Sequence, residues 1–335
     1  GVSAMRQVND RSGSVYLVPD YVAVGLGGFV YESITYTDFT ASAGIRYDMR
    51  QLDVRLQQRG SPVVTPQSKT FASVTASVGG MWTPSELWKV NINAATAWRP
   101  PQVNELYSND VHHGTAVYEI GDSTLQAERS TGLDATITYA APGIEIEGSV
   151  YTNVFDGYIL SLPDPDNPTI TVRGTFPTYR FTQLPAIISG ADLSATVSVS
   201  QRMNVYATGS LVRGTDTQHD QPLFLMPSDR LRLGTHIHAD DVWFLHDAFV
   251  DVSAFGVREQ TRYVPGQDYA PPPPGYILAD ISFGGMIDIS EDNHVRLAIS
   301  CTNIFNTAYR DYLCRYRYFA DDPGRNIIIR FTTSF

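Results

Sequence analysis

Apolar and polar residues alternate along most of this chain. Across 191–200, Ala191, Leu193, Ala195, Val197 and Val199 are interleaved with Asp192, Ser194, Thr196, Ser198 and Ser200. In an extended strand that pattern puts every apolar side chain on one face, whereas a helix would scatter them. Residues 131–140 set Leu133, Ala135, Ile137 and Tyr139 against Asp134, Thr136 and Thr138. Residues 144–151 set Ile144, Ile146 and Val150 against Glu145, Glu147 and Ser149. The same period runs through 71–82, 87–98, 203–212, 247–256, 276–289 and 294–303, and the last segment opposes Ile327, Ile329, Phe331 and Phe335 to Arg330, Thr332 and Ser334. With 21–33, 42–54 and 229–238 the pattern predicts about thirteen strands, many close to the ten or so residues that a tilted membrane strand needs.

The links between these strands sort by length. Short polar links near 35–38, 84–86, 141–143, 201–202, 239–241 and 290–293 alternate with long ones near 55–69, 100–130, 161–186, 214–228, 262–275 and 306–325. Short turns on one rim and long loops on the other are the arrangement of outer-membrane barrels, whose short turns face the periplasm. The expected fold class is therefore all-β, a transmembrane antiparallel β-barrel. If the last strand (about 325–335) descends to the periplasm, counting back makes 21–33 descend as well, so residues 1–19 are expected to be the remnant of an extracellular loop and 20–335 the barrel. A single-chain bacterial barrel has an even strand count. An odd count beginning outside the cell predicts a break or a proteolytic cut ahead of Gly1, with an N-terminal portion elsewhere. The opening residues GVSAMRQVND do not read as a signal peptide.

Composition supports a sheet with one wet face. Charged residues make up only 18% of the chain, while 19 Tyr, 15 Phe and 4 Trp make it aromatic-rich. No run of eighteen apolar residues occurs, which excludes a transmembrane helix on length. A formal net charge of -11 without clustered Lys and Arg argues against a nucleic-acid partner. Cys301 and Cys314 lie near one expected loop and leave open whether they are bridged. No Gly-x-Ser-x-Gly elbow, His-Glu-x-x-His or phosphate-binding glycine loop is present, and Glu145 and Glu147 share a strand face with nothing nearby to make them a catalytic pair. No enzyme activity, catalytic residue or cofactor is expected.

Several segments, in order, resemble the TonB-dependent receptors. They are Phe29, Tyr31 and Glu32 followed by Gly44, Arg46, Tyr47 and Asp48; then Arg99, Pro100, Glu105, Leu106, Tyr107, His113, Gly114, Thr115, Tyr118, Glu119, Gly121, Leu125 and Glu128; then Asn303, Ile304, Phe305, Asn306, Tyr309, Pro323, Gly324 and Arg325, with Phe335 last. One departure stands out, because Asp122, Ser123 and Thr124 occupy the place where that family commonly carries Asn-Pro. The resemblance implies a twenty-two-stranded barrel around a plug, of which this chain would hold roughly strands ten to twenty-two, the plug and first strands being absent from it. It also implies a bacterial outer-membrane location and import of a scarce nutrient, a metal ion or a chelate such as a siderophore, zinc or haem, with TonB-derived energy. The implied partners are the N-terminal plug and first strands, in the same protein or a second chain, a TonB-type energy transducer, the barrel assembly machinery, lipid and lipopolysaccharide. Two alternatives stay open: a barrel component of a larger surface complex importing glycans or peptides, and a passive porin.

Particular residues carry the expected chemistry. His112 and His113, with Tyr107 and Glu119 near them, lie in the long link 100–130. Imidazole and carboxylate suit zinc and other borderline metals, so a metal or metal-chelate contact stands beside a plain loop role. Adjacent histidines point in different directions, which favours the plain role. Receptors with such a His-Gly-Thr segment include zinc and haem importers, which favours the metal. Tyr309, Tyr312, Tyr316, Tyr318 and Phe319 alternate with Arg310, Arg315 and Arg317. They read either as anchors for an anionic ligand, with Tyr312, Arg315 and Arg317 foremost, or as part of an aromatic girdle. Alternation assigns Arg46, Asp48, Asp192, Arg232, Asp251, Asp280, Arg296 and Arg330, with His236 and His238, to the lumen, where they would meet the plug. Trp82 and Tyr139 read as girdle residues. Phe335 resembles the terminal signal that delivers barrel proteins to their insertion machinery.

Overall fold

The computed structural model describes residues 1–12, 17–55, 64–290 and 293–334. The chain opens with β1 (Val2–Asn9), β2 (Tyr21–Tyr36), β3 (Phe39–Val54), β4 (Gln67–Ser85) and β5 (Trp88–Arg99). A long loop follows, holding α1 (Val103–Tyr107), β6 (Asn109–His112) and β7 (Val117–Ile120). Then come β8 (Glu128–Ala141), β9 (Ile144–Pro163), a small hairpin of β10 (Thr169–Thr171) and β11 (Gly174–Phe176), β12 (Thr178–Ser200), β13 (Met203–Asp216) and β14 (Gln221–Pro222). The chain closes with β15 (Arg230–Val242), β16 (Leu245–Val257), β17 (Tyr276–Ser290), β18 (Asn293–Thr302) and β19 (Asn326–Ser334), the last two separated by a loop with a 3-10 turn at Arg315–Tyr318. β1, β2, β3, β4, β5, β8, β9, β12, β13, β15, β16, β17, β18 and β19 pair antiparallel in that order, an up-and-down meander. Among the described residues no helix is long and apolar enough to cross a membrane, which says nothing of crossing by strands.

The registers carry one side-chain parity through the whole wall. Asp192 pairs with Ser149, Ser149 with Thr136 and Thr136 with Asn91. On the other flank His236 pairs with Asp251, Asp251 with Ser282 and Ser282 with Ser300. Following these steps, Arg46, Asp48, Asp134, Asp192, Arg232, His236, Asp251, Asp280 and Arg330 share the inner face. Ile45, Val78, Ile92, Leu133, Val150, Leu193, Leu231, Phe283 and Ile329 share the outer one, and all nine are exposed. So continuous an exposed apolar face would be untenable in water and is the band that contacts lipid in a barrel. At the short-turn rim this band ends in Tyr36, Phe39, Trp82, Trp88, Trp243 and Phe244, with Tyr139 packed on Trp88 at 4.7 Å between ring centroids. Their rings suit the boundary between acyl chains and water. Trp82 and Tyr139 both sit in this girdle, as the sequence predicts.

Two expectations are corrected. Residues 1–19 are not a loop remnant, because β1 pairs with β2 from Val2↔Gly28 to Asn9↔Tyr21 and so rises from mid-wall to the long-loop rim. The described wall therefore has an even number of strands, and the argument from an odd count falls. β1 escaped notice because Arg6, opposite Val24, stands on the apolar outer face and breaks the alternation. The link expected over 161–186 is also shorter, since β9 runs to Pro163 and β12 starts at Thr178. Both strands continue well above the membrane band. Cys301 and Cys314 are free thiols. Phe335, expected to carry the insertion signal, lies outside the described residues.

Candidate functional site

The loop between β5 and β8 is folded back over the inner face by an ion-pair clamp. Arg99, at the end of β5, donates from Nη1 to both oxygens of Glu105 (2.9 and 2.8 Å) and from Nη2 to Glu128 Oε2 (3.3 Å). Glu105 Oε2 also accepts from the Gln102 backbone N–H (2.7 Å), closing a capping box on α1, and Glu128 Oε2 accepts from Ile159 N–H (2.8 Å). So held, α1 presses Val103, Leu106 and Tyr107 onto Ala23, Leu52, Val54, Leu125 and Ile159, the main buried apolar cluster. Gly121 permits this closeness, since a Cβ there would lie 2.6 Å from Tyr107 N. Asp122 then accepts from Thr124 N–H (2.7 Å) and its hydroxyl (2.6 Å), so the chain turns here without the family's Asn-Pro. Tyr107, expected to face a ligand, is instead a core residue at 8% exposure, and burial pushes its phenol up to about 12.

Above this clamp, the four residues Arg315–Tyr318 reach into three other loops. Arg315 lies over the Tyr179 ring (5.1 Å) and points Nη1 at Glu119 Oε1 (3.6 Å), which also pairs with His112 Nδ1 (2.9 Å). Tyr316 donates its hydroxyl to the Gly114 carbonyl. Arg317 pairs through Nη2 with Asp268 and is flanked by the rings of Tyr312 (4.7 Å) and Tyr318 (4.6 Å). Tyr318 donates to Asp268 Oδ1 (2.5 Å), so in the 2.9 Å contact between the Tyr179 and Tyr318 hydroxyls Tyr179 is the donor. Burial, and then the Asp268 carboxylate, hold the Tyr318 phenol far above its usual range. Tyr269 adds a strut: its hydroxyl accepts from Thr178 N–H (2.7 Å) and donates to the Asp164 carbonyl (2.8 Å).

This hub brings together two groups that the sequence placed in separate loops, His112 and Glu119 with Arg315, Arg317 and Tyr312, and gives them different positions. Arg317 and Tyr312 are buried at 4% and 5% exposure and support the surface from beneath, so the expectation of direct ligand contact is corrected for both. Tyr316 and Phe319 are exposed, and Arg315 and His112 are half-buried. His113 turns away from His112 and meets Arg173 Nη1 through Nε2 (3.0 Å). Among the described residues no group of three His, Cys, Asp or Glu side chains is arranged to hold a metal ion. Asp268, Tyr179, Tyr269 and Arg173 were missed by sequence reasoning. Each lies tens of residues from its partner, and no local spacing marks it.

Inside the wall, the lumen set is part paired. Arg46 binds Asp48 and also donates to Ser3 Oγ (2.8 Å), and Arg232 pairs with Asp280 (3.2 Å) while donating to Ser253 Oγ (2.8 Å). Asp192 lines an inner-wall cleft of about 360 Å³ with Glu147, Ser194, Ser210 and Arg232. Asn303, in the family-like turn after β18, exchanges side-chain hydrogen bonds with Thr307 N–H (2.8 Å) and the Thr307 carbonyl (2.9 Å). Asn303 and Asn306 both take positive φ (52° and 53°), a conformation Asn tolerates better than most residues.

Known proteins share this architecture. The copper transporter OprC superposes with a TM-score of 0.76 at 16% identity, over 94% of this chain and 48% of its own. The FrpB iron transporter from Neisseria meningitidis (F3-3 variant) gives 0.68 at 15% identity, over 94% and 46%. The ferric yersiniabactin uptake receptor FyuA from Yersinia pestis gives 0.62 at 13%, over 94% and 45%. This chain thus spans about half the length of those proteins, and identities this low speak for the fold alone. The sequence itself matches the family model of the TonB dependent receptor-like β-barrel over residues 4–304. With an antiparallel wall apolar outside and polar inside, the chain belongs to the TonB-dependent receptors and forms part of their outer-membrane β-barrel.

Proposed function

We propose that the protein imports a scarce nutrient across the outer membrane, a metal ion or an anionic metal chelate such as a siderophore, with energy delivered by a TonB-type protein to a plug that occupies the lumen. The observation that carries this is the hub itself, an extracellular surface of Arg315, Tyr316, Phe319 and His112 standing over a polar inner wall. Cationic and aromatic side chains together suit an anionic chelate with flat ligands, and OprC, FrpB and FyuA are transporters or receptors of copper, iron and ferric yersiniabactin. The inward Arg46, Asp48, Asp192, Arg232, Asp280 and Arg330 are the groups such a plug would meet.

Accumulation of labelled iron, copper and zinc, free and chelated, separates this from a passive pore when compared in cells with and without the protein. Uptake of one species should depend on the protein and stop when the proton gradient across the inner membrane is collapsed. Uptake indifferent to the gradient, with open conductance in planar bilayers, would instead mean a porin. Zinc has its own check: if it contacts the loop directly, titration calorimetry should lose a binding isotherm in His112→Ala/His113→Ala, and identical isotherms end that option.

A further inference from the structure

We infer that the turn Arg315–Tyr318 is a latch that makes four extracellular segments, 109–119, 164–179, 258–275 and 303–325, open and close as one unit. Its successive side chains take partners from different segments. Arg315 and Tyr316 take Glu119 and Gly114, Arg317 takes Asp268, and Tyr318 takes both Asp268 and Tyr179. Thr178 is tied in turn to the third segment by the Tyr269 hydroxyl, and β7 runs parallel to the start of β12, Thr178↔Tyr118. A contact broken anywhere on this ring weakens its neighbours, because Asp268 accepts from three donors and Tyr318 serves three partners.

The distance spanned makes this a bridge over the mouth and not a local loop contact. β8 and β18 are seven pairing steps apart, about 34 Å of wall at about 4.8 Å a step. Tyr316 beyond β18 nevertheless touches Gly114 ahead of β8. The two loops reach each other across the concave side, over the lumen. Arg317 also marks the closed arrangement as poised. Its Nε and Nη1 are buried with no partner among the described residues, so the closed state leaves donors unused that an open one returns to water.

The latch would work the same way whichever ligand is imported. Hydrogen exchange of the full protein in detergent micelles tests it, segment by segment. In Asp268→Asn the amides of 109–119, 164–179, 258–275 and 303–325 should speed up together by a common factor of about tenfold, the wall strands remaining unchanged. Arg317→Lys, which keeps the charge and loses the planar fork, should give the same common acceleration. Tyr316→Phe, which removes one contact of the ring, should speed the same four segments together by a smaller common factor. Acceleration confined to 258–275 in Asp268→Asn, no acceleration at all, or loosening of the wall together with the loops would each overturn the latch.

Discussion

Replacing Arg99 by methionine will free the segment 100–127 from the mouth of the barrel while the wall stays folded. Among the described residues Arg99 is the one cation paired with both Glu105 and Glu128, whose side chains are each only 12% exposed. Without it two nearly buried carboxylates confront each other, and breaking a buried pair from one side costs about 3–5 kcal/mol. Arg99 is about one-third exposed, so water offsets part of this and the lower end, about 3 kcal/mol, is expected. α1 contributes only five residues, too few to hold its shape alone. Limited proteolysis should cut within 100–127 roughly a hundredfold faster, since each 1.4 kcal/mol is about a factor of ten in the open population. Adding Glu105→Gln should recover part of the protection by removing one of the stranded charges. Unchanged cleavage in Arg99→Met would show that the apolar contacts of Leu106 and Tyr107 suffice.

A pair of neighbouring substitutions on β4 will separate the two faces of the wall. Val78 faces outward at 60% exposure and Ser77, opposite Gly44, faces the lumen. Both lie about midway between the Trp82 girdle level and the point ten residues higher where the membrane strand ends. Val78→Arg should lower stability by about 2–4 kcal/mol, measured by denaturant unfolding from lipid bilayers, because the guanidinium must enter hydrocarbon. Ser77→Arg should change it by less than about 1 kcal/mol, since its new charge meets the polar lumen. Equal costs at the two positions would contradict the lipid-facing assignment.

The wall was legible in the sequence because its physics is local. A side-chain period of two needs only consecutive residues, and short and long links sort themselves along the chain. β1 was lost where Arg6 interrupts that period, and the ends of β9 and β12 were placed too low because nothing in a period of two says where a strand leaves the membrane. The hub was legible only in part. Alternating Arg and Tyr at 315–318 announced an unusual surface, but whether each faces a ligand or a neighbour depends on Asp268, Glu119 and Tyr179, which folding alone brings near. Tyr107 shows the same limit: as a phenol in a long loop it reads as a contact residue, and only the Arg99 clamp reveals that it is pressed inward.

The length of β12 gives the hub mechanical leverage. Its 23 residues rise about 3.3 Å each at a tilt near 40°, a height of about 58 Å, of which the apolar band takes about 25 Å. Tyr179 therefore stands on an arm about 30 Å above the bilayer, and a rocking of that arm by 10° about the membrane surface would carry the residue about 5 Å, farther than any hydrogen bond can stretch. A deformation of the wall too small to disturb its own ladder would then be magnified at the tip into a ruptured contact. On tall strands such as β12, a small tilt in the wall would cost the ladder little and the outer tip a contact.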